Sequence, residues 1–211
     1  MYNTAISTCR PRGDMKTAMR LYDQMAIDMV RPDIGTFVTL LNVCENNRNA
    51  DQALNLLEDI ATLGIRRDRN LYRAATAVFA SVGDWEQAFG LLEEIKNDPD
   101  LSPDEAIYNQ VVDACLRRDG NIPAAMQLLE GYQENGLRWN MDTENLAIIA
   151  YTKMGNSAKA VELYKRMQTR NIATYNAVLK AYSRMPAKSV ADEALKVFKE
   201  AKHQGIRPSQ V

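Results

Sequence analysis

Apolar positions along this chain fall on helical stripes. Met15, Ala18, Met19, Tyr22 and Met25 are spaced i, i+3, i+4, i+7 and i+10, one face of a helix. No segment alternates apolar and polar residues with period two for long enough to predict a sheet. The same kind of stripe returns down the chain. Ala18-Met19-Arg20-Leu21-Tyr22 is followed by Ala53-Leu54-Asn55-Leu56-Leu57, Ala88-Phe89-Gly90-Leu91-Leu92 and Ala125-Met126-Gln127-Leu128-Leu129. Ala160-Val161-Glu162-Leu163-Tyr164 and Ala194-Leu195-Lys196-Val197-Phe198 complete the set, with the alanines stepping by 34 to 37 residues. A second column runs Tyr2, Phe37, Tyr72, Tyr108, Glu144 and Tyr175. Two columns that hold one period through six cycles predict a tandem array.

Each unit reads as two helices. The second helix is preceded by short polar residues able to accept from unpaired first-turn N–H groups: Gly13-Asp14, Asn49, Gly83-Asp84, Gly120-Asn121, Gly155-Asn156-Ser157 and Ser189. Asp84-Trp85-Glu86-Gln87 has the spacing of a capping box, and Pro123 sits where a first-turn proline costs no hydrogen bond. Gly64-Ile65, Gly136-Leu137 and Gly205-Ile206 predict left-handed helix stops. Pro32-Asp33, Pro103-Asp104 and Pro208-Ser209 then block continuation. One such helix pair cannot bury its apolar face alone, so neighbouring pairs must stack into a solenoid. The expected repeats are 1–33, 34–68, 69–104, 105–140, 141–171 and 172–211, in a single array over 1–211. The first lacks its opening columns, so the chain is expected to begin within a repeat of a longer protein.

Composition narrows the chemistry. The 211 residues carry 26 Lys+Arg against 27 Asp+Glu, one His and three Cys, which excludes a uniformly polybasic nucleic-acid glue. It leaves no His-based acid–base or metal motif and no small disulfide framework. Cys9, Cys44 and Cys115 share one column with Phe79, Tyr151 and Tyr182, the mark of a packing position. Trp85 and Trp139 are assigned to packing between repeats, and His203, near a helix end, to no catalysis. No stretch is long and apolar enough to span a membrane, and no targeting peptide is visible. No cofactor, metal site or enzymatic activity is predicted. Charge is unevenly spread: repeats two to four are acidic, five and six basic.

Tyr-Asn near the start of the unit, Gly-Asp/Asn before its second helix, Ala-x-x-Leu-Tyr/Phe within it and Gly-Ile-x-Pro-Asp at its end resemble the pentatricopeptide repeat. The resemblance covers essentially the whole chain. It implies an all-α fold, a right-handed α-α superhelical solenoid of helix-turn-helix repeats. It also implies selective binding of single-stranded RNA, one base per repeat, in mitochondrial or chloroplast RNA processing, stability or translation. In that pattern each base is read by the residue after the Tyr column and by the last residue of the repeat. Carried over, the pairs are Asn3/Asp33, Val38/Asp68, Arg73/Asp104, Asn109/Asn140, Asn145/Asn171 and Asn176/Ser209. They resemble readers of U, two unassigned bases, two pyrimidines and C from the RNA 5′ end, a pyrimidine bias.

Several positions depart from the family pattern. Val38 offers no base-edge hydrogen bond, Arg73 is long and charged, and Glu144 replaces the Tyr of repeat five. The apolar wedge column holds Gly35, Asn70, Ala106, Asp142 and Ala173. These departures favour the alternative partner, other proteins of a ribonucleoprotein complex. The first-helix halves carry nine basic residues, Arg10, Arg12, Arg69, Arg73, Arg117, Arg118, Lys153, Lys180 and Arg184, against five acidic ones. That predicts a mildly positive inner row of helices on a negative body.

Overall fold

The computed structural model describes all residues except 118–119, 133–135, 186–187, 204 and 206–211. Among the described residues every regular element is helical. The helices are α1 (Tyr2–Ser7), α2 (Met15–Ile27), α3 (Ile34–Asn47), α4 (Ala50–Thr62), α5 (Arg69–Val82) and α6 (Trp85–Asn97). They continue as α7 (Glu105–Leu116), α8 (Ile122–Glu130), α9 (Met141–Lys153), α10 (Ser157–Arg166), α11 (Ile172–Ser183) and α12 (Lys188–His203). A short 3-10 turn, Arg10–Arg12, follows α1. The helices form two compact units, Met1–Gly120 and Asn121–Val211.

In the first unit α1, α3, α5 and α7 lie side by side, each packed on the next, while α2, α4 and α6 fill the spaces between successive members. In the second unit α9 packs on α11, with α8, α10 and α12 flanking them. Each is a stack of helix-turn-helix pairs, so the chain is an all-α solenoid.

The alanine column explains how closely the paired helices approach. Ala18, Ala53, Ala88, Ala125 and Ala160 are fully buried, and only Ala194 on α12 retains partial exposure. Leu56, Leu92 and Leu129 beside them are buried as well. The aromatic column goes inside at Phe37, Tyr72, Tyr108 and Tyr175. Buried tyrosines need partners for their hydroxyls. Tyr72 donates to Glu94 of α6 at 2.9 Å, Tyr175 to Glu200 of α12 at 3.1 Å, and Tyr2 to Asp28. Phe37 has no hydroxyl and packs edge-on against Tyr22. The three cysteines are buried and reduced, and burial pushes the thiols of Cys44 and Cys115 up to about 12 and 11, so they are inert packing groups.

Capping follows the sequence closely, with two corrections. Asp14, Asn49, Asp84, Asn121 and Asn156 each accept from the amide three residues on. Asp84 and Gln87 make only that half of the expected capping box. Reciprocal boxes form instead at Asp33/Thr36, Asn140/Thr143 and Asn171/Thr174, where a threonine hydroxyl is short enough to turn back onto the cap amide. Ser189 opens no helix, because α12 is already running at Lys188. Gly64 and Gly205 have the left-handed φ predicted for helix stops; Gly136 has it too, but α8 ends earlier, at Glu130, with Gly131 as its C-cap. Met29 adopts φ 54° at the equivalent point of the first pair without being glycine.

Candidate nucleic-acid interface

The candidate interface is built from the N-terminal turns of the first helices. Asp33, Asp68, Asp104, Asn140 and Asn171 are the N-caps of α3, α5, α7, α9 and α11. Each accepts the N3 amide at 2.8–3.0 Å. The last residue of one repeat thus begins the next repeat's first helix. Its backbone geometry is fixed by the cap.

Three of the predicted pairs are in contact. Asn3 Nδ2 donates to Asp33 Oδ1 at 3.0 Å, and the Thr36 hydroxyl lies 2.8 Å from Asn3 Oδ1. Asn145 Nδ2 donates to Asn171 Oδ1 at 3.3 Å. Arg73 donates through Nη2 to Asp104 Oδ2 in an ion pair. Val38 and Asp68 share no bond but line one groove of about 490 Å3 on the α3 and α5 surfaces, together with Gly35, Asn70 and Arg73. Asn109 stands on α7 in the first unit, whereas Asn140 caps α9 in the second. Asn176 is on α11, and its expected partner Ser209 lies outside the described residues.

The atoms left over after capping differ between pairs. On Asp33, Oδ1 takes the Thr36 amide, the Thr36 hydroxyl and the Asn3 amide, while Oδ2 has no partner among the described residues. These bonds, the Thr36 amide foremost, hold the carboxyl below the usual aspartate range. Asp68 likewise uses only Oδ1, and its other oxygen is left for the groove. On Asp104 both oxygens are engaged, Oδ1 by the Ile107 amide and Oδ2 by Arg73. Partial desolvation pushes that carboxyl up, but Arg73 and the amide outweigh it and its pKa is lowered. Asn145 is 5% exposed, and its Oδ1 is buried without a partner. A buried, unpaired amide oxygen is costly unless something supplies a donor.

The threonines of the capping boxes are positions that the column reading missed. Thr36, Thr143 and Thr174 are fully buried and fix the cap side chains. Their signal was present, as Asp/Asn-x-x-Thr at 33–36, 140–143 and 171–174. Part of the expected inner row is engaged by partners. Arg10 pairs with Glu45 at 3.7 Å, Arg117 with Asp113 at 2.8 Å and Arg73 with Asp104, while Arg184 donates to the Thr152 carbonyl. Lys153 and Lys180 have no partner among the described residues. Arg118 lies outside them. Among the described residues no cluster of three His, Cys, Asp or Glu could hold a metal, and no helix is long and apolar enough to cross a membrane.

Comparison with known proteins gives this geometry a family. A model described as pentatricopeptide repeat-containing protein matches residues 34–167, and one described as pentatricopeptide repeat domain matches 1–47 and 169–211. The chain belongs to the pentatricopeptide repeat family. It is 24% identical to a pentatricopeptide repeat-containing protein of Arabidopsis thaliana named chloroplastic, covering 100% of this chain and 44% of that relative. The chain thus spans less than half of that relative's length. Maize PPR10 superposes with a TM-score of 0.68 at 26% identity, over 99% of this chain and 30% of that one. The PPR domain of Arabidopsis thaliana protein-only RNase P 1, solved with tRNA, superposes with a TM-score of 0.65 at 17% identity, over 93% and 96%. The second likeness is one of fold. The repeats keep the family's helical frame.

Proposed function

We propose that this segment binds single-stranded RNA and reads bases with the residue pairs at the starts of its first helices. One observation carries the reading: Asn3 with Asp33 and Asn145 with Asn171, each about one repeat apart in sequence, meet at a helix start with amide or carboxylate atoms unspent. Unstacked bases present Watson–Crick edges to such groups. At the first pair, Asp33 Oδ2 can accept a uracil N3–H while the second Asn3 amide hydrogen reaches O4. The two-amide pair Asn145/Asn171 accepts either pyrimidine. Lys153 and Lys180 supply charge for the backbone. A second crystal structure of PPR10 was solved in complex with an 18-nt psaJ RNA element, which supports RNA as the partner class.

The resulting register is U-N-N-Y-Y-C from the 5′ end, with repeats two and three unassigned. The activity is recognition without chemistry of its own, in organellar RNA processing, stability or translation, in the mitochondrion or chloroplast. The chloroplastic name of the Arabidopsis relative favours the second location. Titration of the 211-residue chain with RNAs carrying that core, and with purines in place of its pyrimidines, tests the reading. Tighter binding of the pyrimidine core is expected. Equal, purely salt-governed binding of both sets would remove base reading, and no RNA binding would return the chain to the protein-scaffold alternative.

A further inference from the structure

The third pair behaves unlike the others, and the difference lies in which atoms are already taken. Asp104 is engaged at both carboxylate oxygens, by the Ile107 amide and by Arg73. Arg73 lines the 490 Å3 groove, along with Asp68 and Asn70. A guanidinium has five N–H donors in a planar fork. Only Nη2 of Arg73 is held, by Asp104, and its Nε and Nη1 have no partner among the described residues. One turn earlier on α5, Arg69 holds the Ser102 hydroxyl at 3.3 Å, so its charge is not cancelled by that contact. Asn70 and Gly35 stand where the family pattern has a branched apolar wedge, so no side chain of that kind grips a base here. The groove therefore combines room with a guanidinium fixed by Asp104, beside the Asp68 carboxylate and a Glu45 already paired with Arg10.

Resting on the RNA-binding reading above, we propose that repeat three reads no base and that Arg73, braced by Asp104, grips a phosphodiester of the bound strand. A planar fork held at one nitrogen is pre-organised to give its remaining donors to phosphate oxygens. The strand then passes repeat three with affinity but without discrimination, and Arg73 is a backbone ligand in a slot where other repeats carry a reader.

Fluorescence anisotropy with the whole 211-residue chain tests this, using single-stranded RNAs with a U-N-N-Y-Y-C core and the third base set to each of the four. The four dissociation constants should agree within about twofold, against the roughly tenfold that a read base produces. Repeated over a salt series, the slope of log affinity against log salt should shrink by about 0.7 in Arg73→Gln, the value of one single-strand phosphate contact. Arg73→Lys should retain the slope, since it keeps a cation in place. Arg73 is half-exposed, so both variants are checked for an unchanged helical circular dichroism spectrum. If the wild-type chain binds RNA but the slope is unmoved in Arg73→Gln, or the third base changes affinity tenfold, the proposal falls and the RNA reading stands. If the wild-type chain binds no RNA, the reading beneath it falls as well.

Discussion

Asp33 has two oxygens with different surroundings: Oδ1 caps α3 and holds Asn3, and Oδ2, without a partner among the described residues, is the one assigned to a base in the proposed reading. Capping and the proposed reading can be separated. Asp33→Ala should cost about 1 kcal/mol of stability through loss of the cap, whereas Asp33→Asn should keep it, in urea unfolding. Both should erode uracil preference at the first base in RNA titration. Glu144 is the opposite case, a carboxylate in a column otherwise filled by aromatic rings. Desolvation raises its pKa, so the folded state disfavours the charged form. Its penalty is therefore present at neutral pH and disappears as pH falls below the ordinary carboxylate value. Glu144→Gln should raise the urea midpoint at pH 7, and the gain should vanish near pH 4 or below. Neither role could be read from spacing alone. Columns identify equivalent positions, but not which lone pair of a carboxylate a neighbouring side chain has claimed.

Helices here are specified at their ends. The caps were legible because Asp and Asn at a fixed offset before an apolar stripe is a local signal, enforced by amides within three residues. The stop of α2 departs from the glycine rule. Met29 is held at φ 54°, where the equivalent Gly64 pays no steric cost. Met29→Gly should raise stability by up to about 1 kcal/mol in thermal or urea unfolding, the relief of strain being partly offset by a freer unfolded chain. At the other end of the chain, α12 is fastened by Glu200. It accepts from Tyr164 at 3.2 Å and Tyr175 at 3.1 Å and pairs with Arg170 at 2.8 Å, while Arg170 stacks over the Tyr164 ring. These contacts join residues 25 to 36 positions apart, beyond any helix-local pattern. Glu200→Ala should cost about 1–3 kcal/mol and speed amide exchange of α12 more than that of α9.

The tyrosine columns give the whole chain a shared pH response. Burial, helped by Glu94 and Glu193, pushes Tyr72 and Tyr182 up to about 12, and Tyr22 and Tyr164 are raised as well. Between pH 10 and 12 the unfolded chain releases phenolic protons that the folded chain retains, so stability falls as pH rises through that window. The urea midpoint should hold steady up to about pH 9 and then drop steeply. Tyrosine ionisation followed by absorbance should coincide with loss of helix. Net charge was a poor guide at this scale. A chain with 26 basic and 27 acidic residues looked neutral, yet its cations divide into those taken by acids, such as Arg67 with Glu94, and those left over, such as Lys153 and Lys180.

By itself the sequence determined the period, the paired helices, their caps and the buried alanine and cysteine columns. Each of these is a local or strictly repeated demand: a stripe must be covered, a first-turn amide must find an acceptor, and equivalent positions meet equivalent surroundings. Tertiary structure decided which polar atoms remain usable. Asp33, Asp68 and Asp104 are interchangeable in sequence, all N-caps ending a repeat. They differ because Asn3, Val38 and Arg73 reach across from the preceding first helix and claim an oxygen, claim none, or neutralise the carboxylate. Hydrogen-bond competition between residues about thirty apart is settled only when the helices are stacked.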